Sequence, residues 1–352
     1  MSRVGRRRKI SNLTNINNML LTRLLSAFFA ITGLISIGCG RASQSSAVKG
    51  DAVQQVTVQL NWYAEAEHGG IYQAKADGTY EAAGFDVDIR PGGRATPVAA
   101  EVVMRRADFA ITNADDVVLF RNAGSDIVAL MAALQDNPRC ILVRADSQMT
   151  SWEGLKGMTF QRQEGQGFVE FLRARGVLDG VKEVPYFNSV ANLVADPNVA
   201  AQAYSFAEPF LAQEAGAEVR TWMVSDLGWN PYSSVLVTRG ELIRDQPKLV
   251  AEFVAATQKG WQNYISDPTQ GNVAVLAANQ HGMTSAALEF GSKALVELAR
   301  PDGMPMEQVG RMTTERWQAL IDQLVEIKVI QPGSVNASEC FTDRFLDTNS
   351  IE

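Results

Sequence analysis

Asn61, Trp62 and Tyr63 close the apolar run "VTVQL" and stand just ahead of His68, one of two histidines in the chain. An indole offers a flat stacking face, and an amide and an imidazole offer directional hydrogen bonds. Placed where a parallel strand ends, such groups meet the crevice in which open α/β sheets hold ligands. The bland alternative is that Trp62 packs in the core and His68 caps the helix that follows. Tyr72, in the same stretch, joins the candidate grip.

Three further clusters have similar chemistry. In "ITNADD", Asn113 and Asp115 either cap a helix or face the same crevice, with helix-start amides open to a ligand oxygen, while Asp116 is expected to face solvent. In "QRQEGQGF", glycines permit close backbone approach, but the spacing is neither a P-loop nor a dinucleotide fingerprint. Gln163 is the candidate contact there, and Asn188 joins it. "YSFAEPF" and "LGWNPYSS" mix aromatic faces with polar handles, and Glu208 and Trp229 are the candidates, against ordinary packing. No arginine enters these clusters, Arg94 and Arg162 being the nearest, which favours a flat heterocycle over a simple anion. There is no HExxH, no GxSxG and no metal-spaced cysteine set, so no catalytic residue and no metal site is expected. His281, before Gly282, reads as the end of a helix.

The elements that must position these groups alternate. "QQVTVQLNW" and "FDVDIRPGG" read as strands around a helix in "GGIYQAKADGTYEAAG". The strand–helix alternation continues through "DFAIT", "IVALMAAL", "CILVRAD" and "MTFQRQ", predicting an α/β layer structure with mostly parallel strands. "SSVLVTRGELI" is apolar and β-branched enough to carry the chain back to the first layer, and the remainder is largely helical.

The amino-terminal region differs in kind. Six basic residues, with no acid before Asp51, lead into "LLSAFFAITGLISIG" and then Cys39. Basic region, short apolar run and small residue are the parts of an export signal, and the run is shorter than a spanning helix needs. "ISIGC" resembles a bacterial lipobox, which would make Cys39 the lipidated start of the mature chain; Ser36 departs from that pattern, and ordinary cleavage near "GRAS" is the alternative. Residues 1–39 are thus assigned to a signal peptide and 40–53 to a flexible tether. Losing the six basic residues moves the formal net charge from −7 to −13, which argues against nucleic-acid binding. Cys140 and Cys340 are either one disulfide or two separate thiols.

The stretch "LNWYAEAEHGGIYQAKADGTYEAAGFDVDIRPGG", with "RADFAITNADDVV", "LKGMTF", "YSFAEPF" and "PYSSVLVTRGELIRDQPKLVAEFVAATQKGWQNYISDP", resembles the thiamine-pyrimidine-synthase-like, SsuA-like substrate-binding proteins of ABC importers. The resemblance runs from Val56 to the end. It implies a type II periplasmic-binding-protein fold, two α/β lobes joined by two crossing strands; the boundaries drawn from composition, 54–143 and 234–352 for lobe 1 and 144–233 for lobe 2, agree with that. It further implies a monomer closing on a small-molecule ligand for an ABC permease, without a cofactor; with the leader and Cys39, the expected place is outside the cytoplasm, periplasmic or lipid-anchored on the outer face of the cytoplasmic membrane. A thiamine pyrimidine or other heterocyclic precursor is the favoured ligand; riboflavin, sulfonate and nitrate are alternatives. Fungal members of the group are pyrimidine-forming enzymes, but Thr112 and Asp116 stand where those supply the cofactor lysine and donor histidine. A sensor domain signalling to a separate membrane partner is a third reading.

Overall fold

The structure, a computed structural model, describes residues 53–346. The expected signal peptide, Cys39 and the tether up to residue 52 lie outside the described residues.

The first sheet is built of β1 (Gln54–Gln59), β2 (Phe85–Arg90), β3 (Phe109–Thr112), β4 (Ile127–Leu134) and the late strand β10 (Ser233–Arg239), in the order β2-β1-β3-β10-β4. The second holds β5 (Arg139–Arg144), β6 (Thr159–Arg162), β7 (Lys182–Pro185), β8 (Val199–Tyr204) and β9 (Val219–Met223), in the order β7-β6-β8-β5-β9. The two sheets share one plan. In each, four strands run one way and a single strand is reversed, pairing antiparallel on both sides: β10 between β3 and β4, and β5 between β8 and β9. The reversed strand is the one that has crossed from the other sheet.

The crossing out falls between β4 and β5, so 139–143, assigned from composition to lobe 1, pair in the second sheet. Both strands are apolar and almost wholly buried, so composition does not change where the chain changes sheet. The return begins at Ser233.

Side-chain alternation sets the faces. Phe85 and Val87 of β2 point inward while Asp86 and Asp88 stay exposed, as a half-buried strand requires. The helix expected after β1 is two, Gly69–Ala76 and Thr79–Ala82, broken at Gly78, whose φ of 79° only glycine adopts at little cost. The first of these lies tightly against the long helix Pro247–Ser266. A Cβ on Gly260 would sit 2.4 Å from the Gly70 carbonyl oxygen, so the missing side chain sets the spacing.

Phe253, on the same long helix, stacks on Phe109 at 4.1 Å and on Tyr80 at 5.1 Å, tying helix to sheet. Another core cluster spans both sheets: Ala129 and Val237 of the first and Phe160 of the second share it with Trp317 and Leu324 of the helix Thr314–Glu326. Cys140 and Cys340 are buried free thiols in different core clusters.

Candidate functional site

A cavity of about 340 Å³ opens between the edges of the two sheets. Its placement follows from strand direction. β1 delivers Asn61 and Trp62, β6 delivers Gln163, β7 delivers Tyr186, and β8 delivers Tyr204, Phe206 and Glu208, all at or just beyond their carboxyl ends. The reversed β5 brings its first residue, Arg139, to the same edge. The segment Asn279–Met283 closes one side; Asn279 Nδ2 donates to the Ala64 carbonyl at 2.7 Å and its Oδ1 accepts the His281 amide.

The first-sheet wall is held from behind. His68 is fully buried and its Nε2 donates to Asn61 Oδ1 at 3.0 Å, while Nδ1 accepts the Glu65 amide at 3.4 Å. Burial holds this imidazole neutral, pushing its pKa down to about 3. Ser234, at a left-handed φ of 49°, donates its hydroxyl to the Glu67 carbonyl at 2.6 Å. Tyr63 stacks on His281 with ring centres 3.6 Å apart at the mouth.

The second-sheet wall is more polar. Glu208 opens the helix Glu208–Glu214; its Oε2 accepts the Tyr204 amide at 2.7 Å and its Oε1 accepts the Tyr186 hydroxyl at 3.2 Å. Burial still holds this carboxyl above the usual carboxylate range. Gln163 donates to Asn188 Oδ1 at 3.2 Å, and its amide reaches Gln202 Oε1 at 2.6 Å. Arg139 and Tyr204 are cross-strand partners in the β5–β8 ladder; the guanidinium lies 4.2 Å over the Tyr204 ring and 4.8 Å over Phe168. Its Nη2 also donates to the Tyr204 hydroxyl at 3.0 Å.

Glu65 and Glu67 complete the lining. Burial, with Glu67 and Glu208 nearby, lifts Glu65 to about 8, against a hydrogen bond from Trp62. Burial lifts Glu67 to about 7, with Arg139 opposing and Glu208 adding to the rise. Among the described residues no group of three or more histidine, cysteine, aspartate or glutamate side chains is placed to hold a metal ion.

Of the nine residues singled out from sequence, Asn61, Trp62, Gln163, Asn188 and Glu208 line the cavity. The other four do not. His68 stands behind Asn61, and Tyr72 is buried in the first-sheet core with its hydroxyl unpaired. Asn113 precedes the helix Ala114–Asn122 but makes no side-chain cap; its Oδ1 accepts the Ser233 hydroxyl at 2.7 Å. Trp229 is 1% exposed and packs on Phe171 and against Gly167. Asp116, expected in solvent, accepts the Thr112 hydroxyl at 2.9 Å.

Sequence reasoning missed Arg139, Glu65, Glu67 and Tyr186, and gave His281 a bland role. The absence of arginine from the binding clusters is therefore corrected, because Arg139 is in the wall. It sits at the amino end of a reversed strand, where a search of strand carboxyl ends does not look. Glu65 and Glu67 were in view, in "AEAEHGG", and their alternation with alanine was the unused signal.

The family model described as NMT1/THI5 like matches residues 65–271. The riboflavin-binding protein RibY of Chloroflexus aurantiacus is 25% identical over 62% of this chain and 64% of its own length, so the chain spans somewhat under two thirds of that relative. The formylaminopyrimidine-binding protein of Halalkalibacterium halodurans is 21% identical over 86% of this chain and 92% of its own. A 4-amino-5-hydroxymethyl-2-methylpyrimidine phosphate synthase of Legionella pneumophila is 23% identical over 83% and 92%. In three dimensions the chain is similar to the periplasmic aliphatic sulphonate binding protein SsuA of Escherichia coli, with a TM-score of 0.61 and 13% identity over 81% of this chain and 91% of that one. The desulfurization enzyme DSZB matches at a TM-score of 0.57 and 16% identity over 84% and 98%. At such identities these structures establish the shared periplasmic-binding-protein fold and no more.

Proposed function

The chain belongs to the NMT1/THI5-like family, and we propose that it is the exported solute-binding receptor of an ABC importer. In this reading the protein is tethered through a lipidated Cys39 and hands a small organic molecule, intact, to a membrane permease. The observation that carries it is the cavity between two sheets joined by two crossovers. A ligand there touches Trp62 on one side and Tyr204 on the other, and favours whichever arrangement brings them together.

A flat heterocycle, such as a thiamine-pyrimidine precursor, suits the aromatic faces and the fixed Glu208 carboxyl. A volume of about 340 Å³ is at the small end of organic-ligand sites. Two relatives named as binding proteins favour the receptor reading, while the synthase relative keeps an enzyme as the rival. Against the rival, Thr112 and Asp116 are hydrogen-bonded to each other at the positions that would supply cofactor lysine and donor histidine.

Native mass spectrometry of the protein from its own host tests this. One non-covalent ring-bearing molecule, returned unchanged on denaturation and producing a more compact scattering profile on rebinding, is the expected result. Turnover of the molecule to a product, or identical profiles with and without it, overturns the reading.

A further inference from the structure

Three carboxyl groups, those of Glu65, Glu67 and Glu208, line one cavity in which Arg139 is the sole arginine or lysine among the lining residues. That guanidinium is already engaged. It is stacked on Tyr204 and Phe168, donates to the Tyr204 hydroxyl, and makes no ion pair among the described residues. Glu208 has both oxygens occupied, by the Tyr204 amide and the Tyr186 hydroxyl. Glu67 differs. The residue is 4% exposed and lines the cavity, yet its carboxyl accepts no hydrogen bond among the described residues; His68 Nε2, which donates to Asn61, stays 3.6 Å away. A buried carboxyl without a partner is either kept protonated or paired by a cation that arrives with the ligand.

Resting on the receptor reading, we propose that the cavity selects a cationic organic ligand, an amidinium or protonated amine carried on a flat ring, with Glu67 as its charge partner. The walls agree with the charge. Trp62, Tyr63 and Tyr186 line the cavity, and aromatic rings attract a cation, as the Tyr204 ring already does Arg139, while a sulfonate would confront three carboxyls. The titratable and charged groups facing Glu67 are Glu65 and His68 from its own turn, Arg139 from β5, Tyr204 from β8, and Glu208 from the helix that follows it. Asp115 and Asp116 share the influence of Arg139. With Glu67 raised to about 7, a bound cation restores the ionised carboxylate and expels a proton. Affinity for a permanent cation therefore climbs as pH rises through neutrality.

Calorimetric titration of the mature chain with benzamidine, benzamide and benzenesulfonate reads the preference, since the three place a cation, a neutral amide and an anion on the same ring. Benzamidine is expected to bind about tenfold more tightly than benzamide at about pH 8, with no heat from benzenesulfonate. Its affinity should also rise about tenfold between about pH 6 and pH 8, a rise absent in Glu67→Gln. Thermal melting checks that the variant folds; if it does not, the ranking and pH profile of the unmodified protein decide. Equal affinity for benzamidine and benzamide, preference for the sulfonate, a flat pH profile, or no binding by any of the three overturns the proposal. The receptor reading has its own test: a copurifying molecule that is returned intact but neutral or anionic sinks the cation alone and leaves the receptor standing.

Discussion

The imidazole of His68 donates to Asn61 and accepts the Glu65 amide, which fixes one neutral tautomer in a fully buried position. It is a positioning residue, and it makes stability depend on pH. The folded chain leaves His68 unprotonated down to about 3, whereas the unfolded chain takes the proton near 6.5. Its contribution is complete above about 6.5 and is lost as pH falls below that. Glu65 and Glu67 act in the opposite sense, because their folded pKa values of about 8 and about 7 exceed the ordinary 4.5. Their contribution is complete below 4.5 and is lost as pH rises through about 7 to 8. Two glutamates outweigh one histidine above about 4.5, so the ligand-free protein should be most resistant to urea at about pH 4 to 5 and weaken on both sides. A midpoint that rises steadily from acid to alkaline pH would contradict this assignment of protons.

At the scale of elements, the turn after β2 holds the loop after β1. The Gly92 amide donates to the Trp62 carbonyl at 2.8 Å, and a Cβ there would stand 2.2 Å from the Leu60 carbonyl oxygen. Backbone meets backbone, so no side chain can swing aside. Gly92→Ala should cost about 1–3 kcal/mol by overpacking and push Asn61 and Trp62 off the cavity wall. Denaturant unfolding reads the first effect, and weakened binding of whatever ligand copurifies reads the second. A variant with unchanged stability and affinity would show that the loop is placed by something else.

On the scale of the whole molecule, the two crossovers behave as one joint. Asn230 donates to Asp136 at 2.8 Å and accepts the Asn137 amide at 2.7 Å, and Asn137 donates to the Pro231 carbonyl at 2.9 Å. Arg316 spans both, donating to the carbonyls of Gln135 at 2.6 Å and Asn230 at 2.8 Å while stacking on Tyr232. Its helix, Thr314–Glu326, packs into the core cluster shared by both sheets. Arg316→Ala frees two carbonyls and one ring face, and should cost about 1–3 kcal/mol. It should also broaden the range of inter-sheet arrangements, seen as a larger radius of gyration in ligand-free scattering. An unchanged radius would place the stiffness of the joint elsewhere, in the Asn137 and Asn230 bonds.

From the chain alone came the alternating α/β layers, the return through "SSVLVTRGELI", the strand-end rule that picked out Asn61 and Trp62, and the polar and aromatic clusters that picked out Gln163, Asn188 and Glu208. Those features are local: period, turn residues and strand ends are written within short windows of sequence. Which aromatic or polar group faces the cavity depended on packing, and there Tyr72, Asn113 and Trp229 went to core or crossover instead. Arg139 entered the site because β5 is reversed, and strand reversal is a property of the sheet rather than of the residues in the strand. The charge state of Glu65 and Glu67 was likewise beyond reach of the sequence, since burial and neighbours from β5 and the Glu208 helix set it only after the two sheets meet.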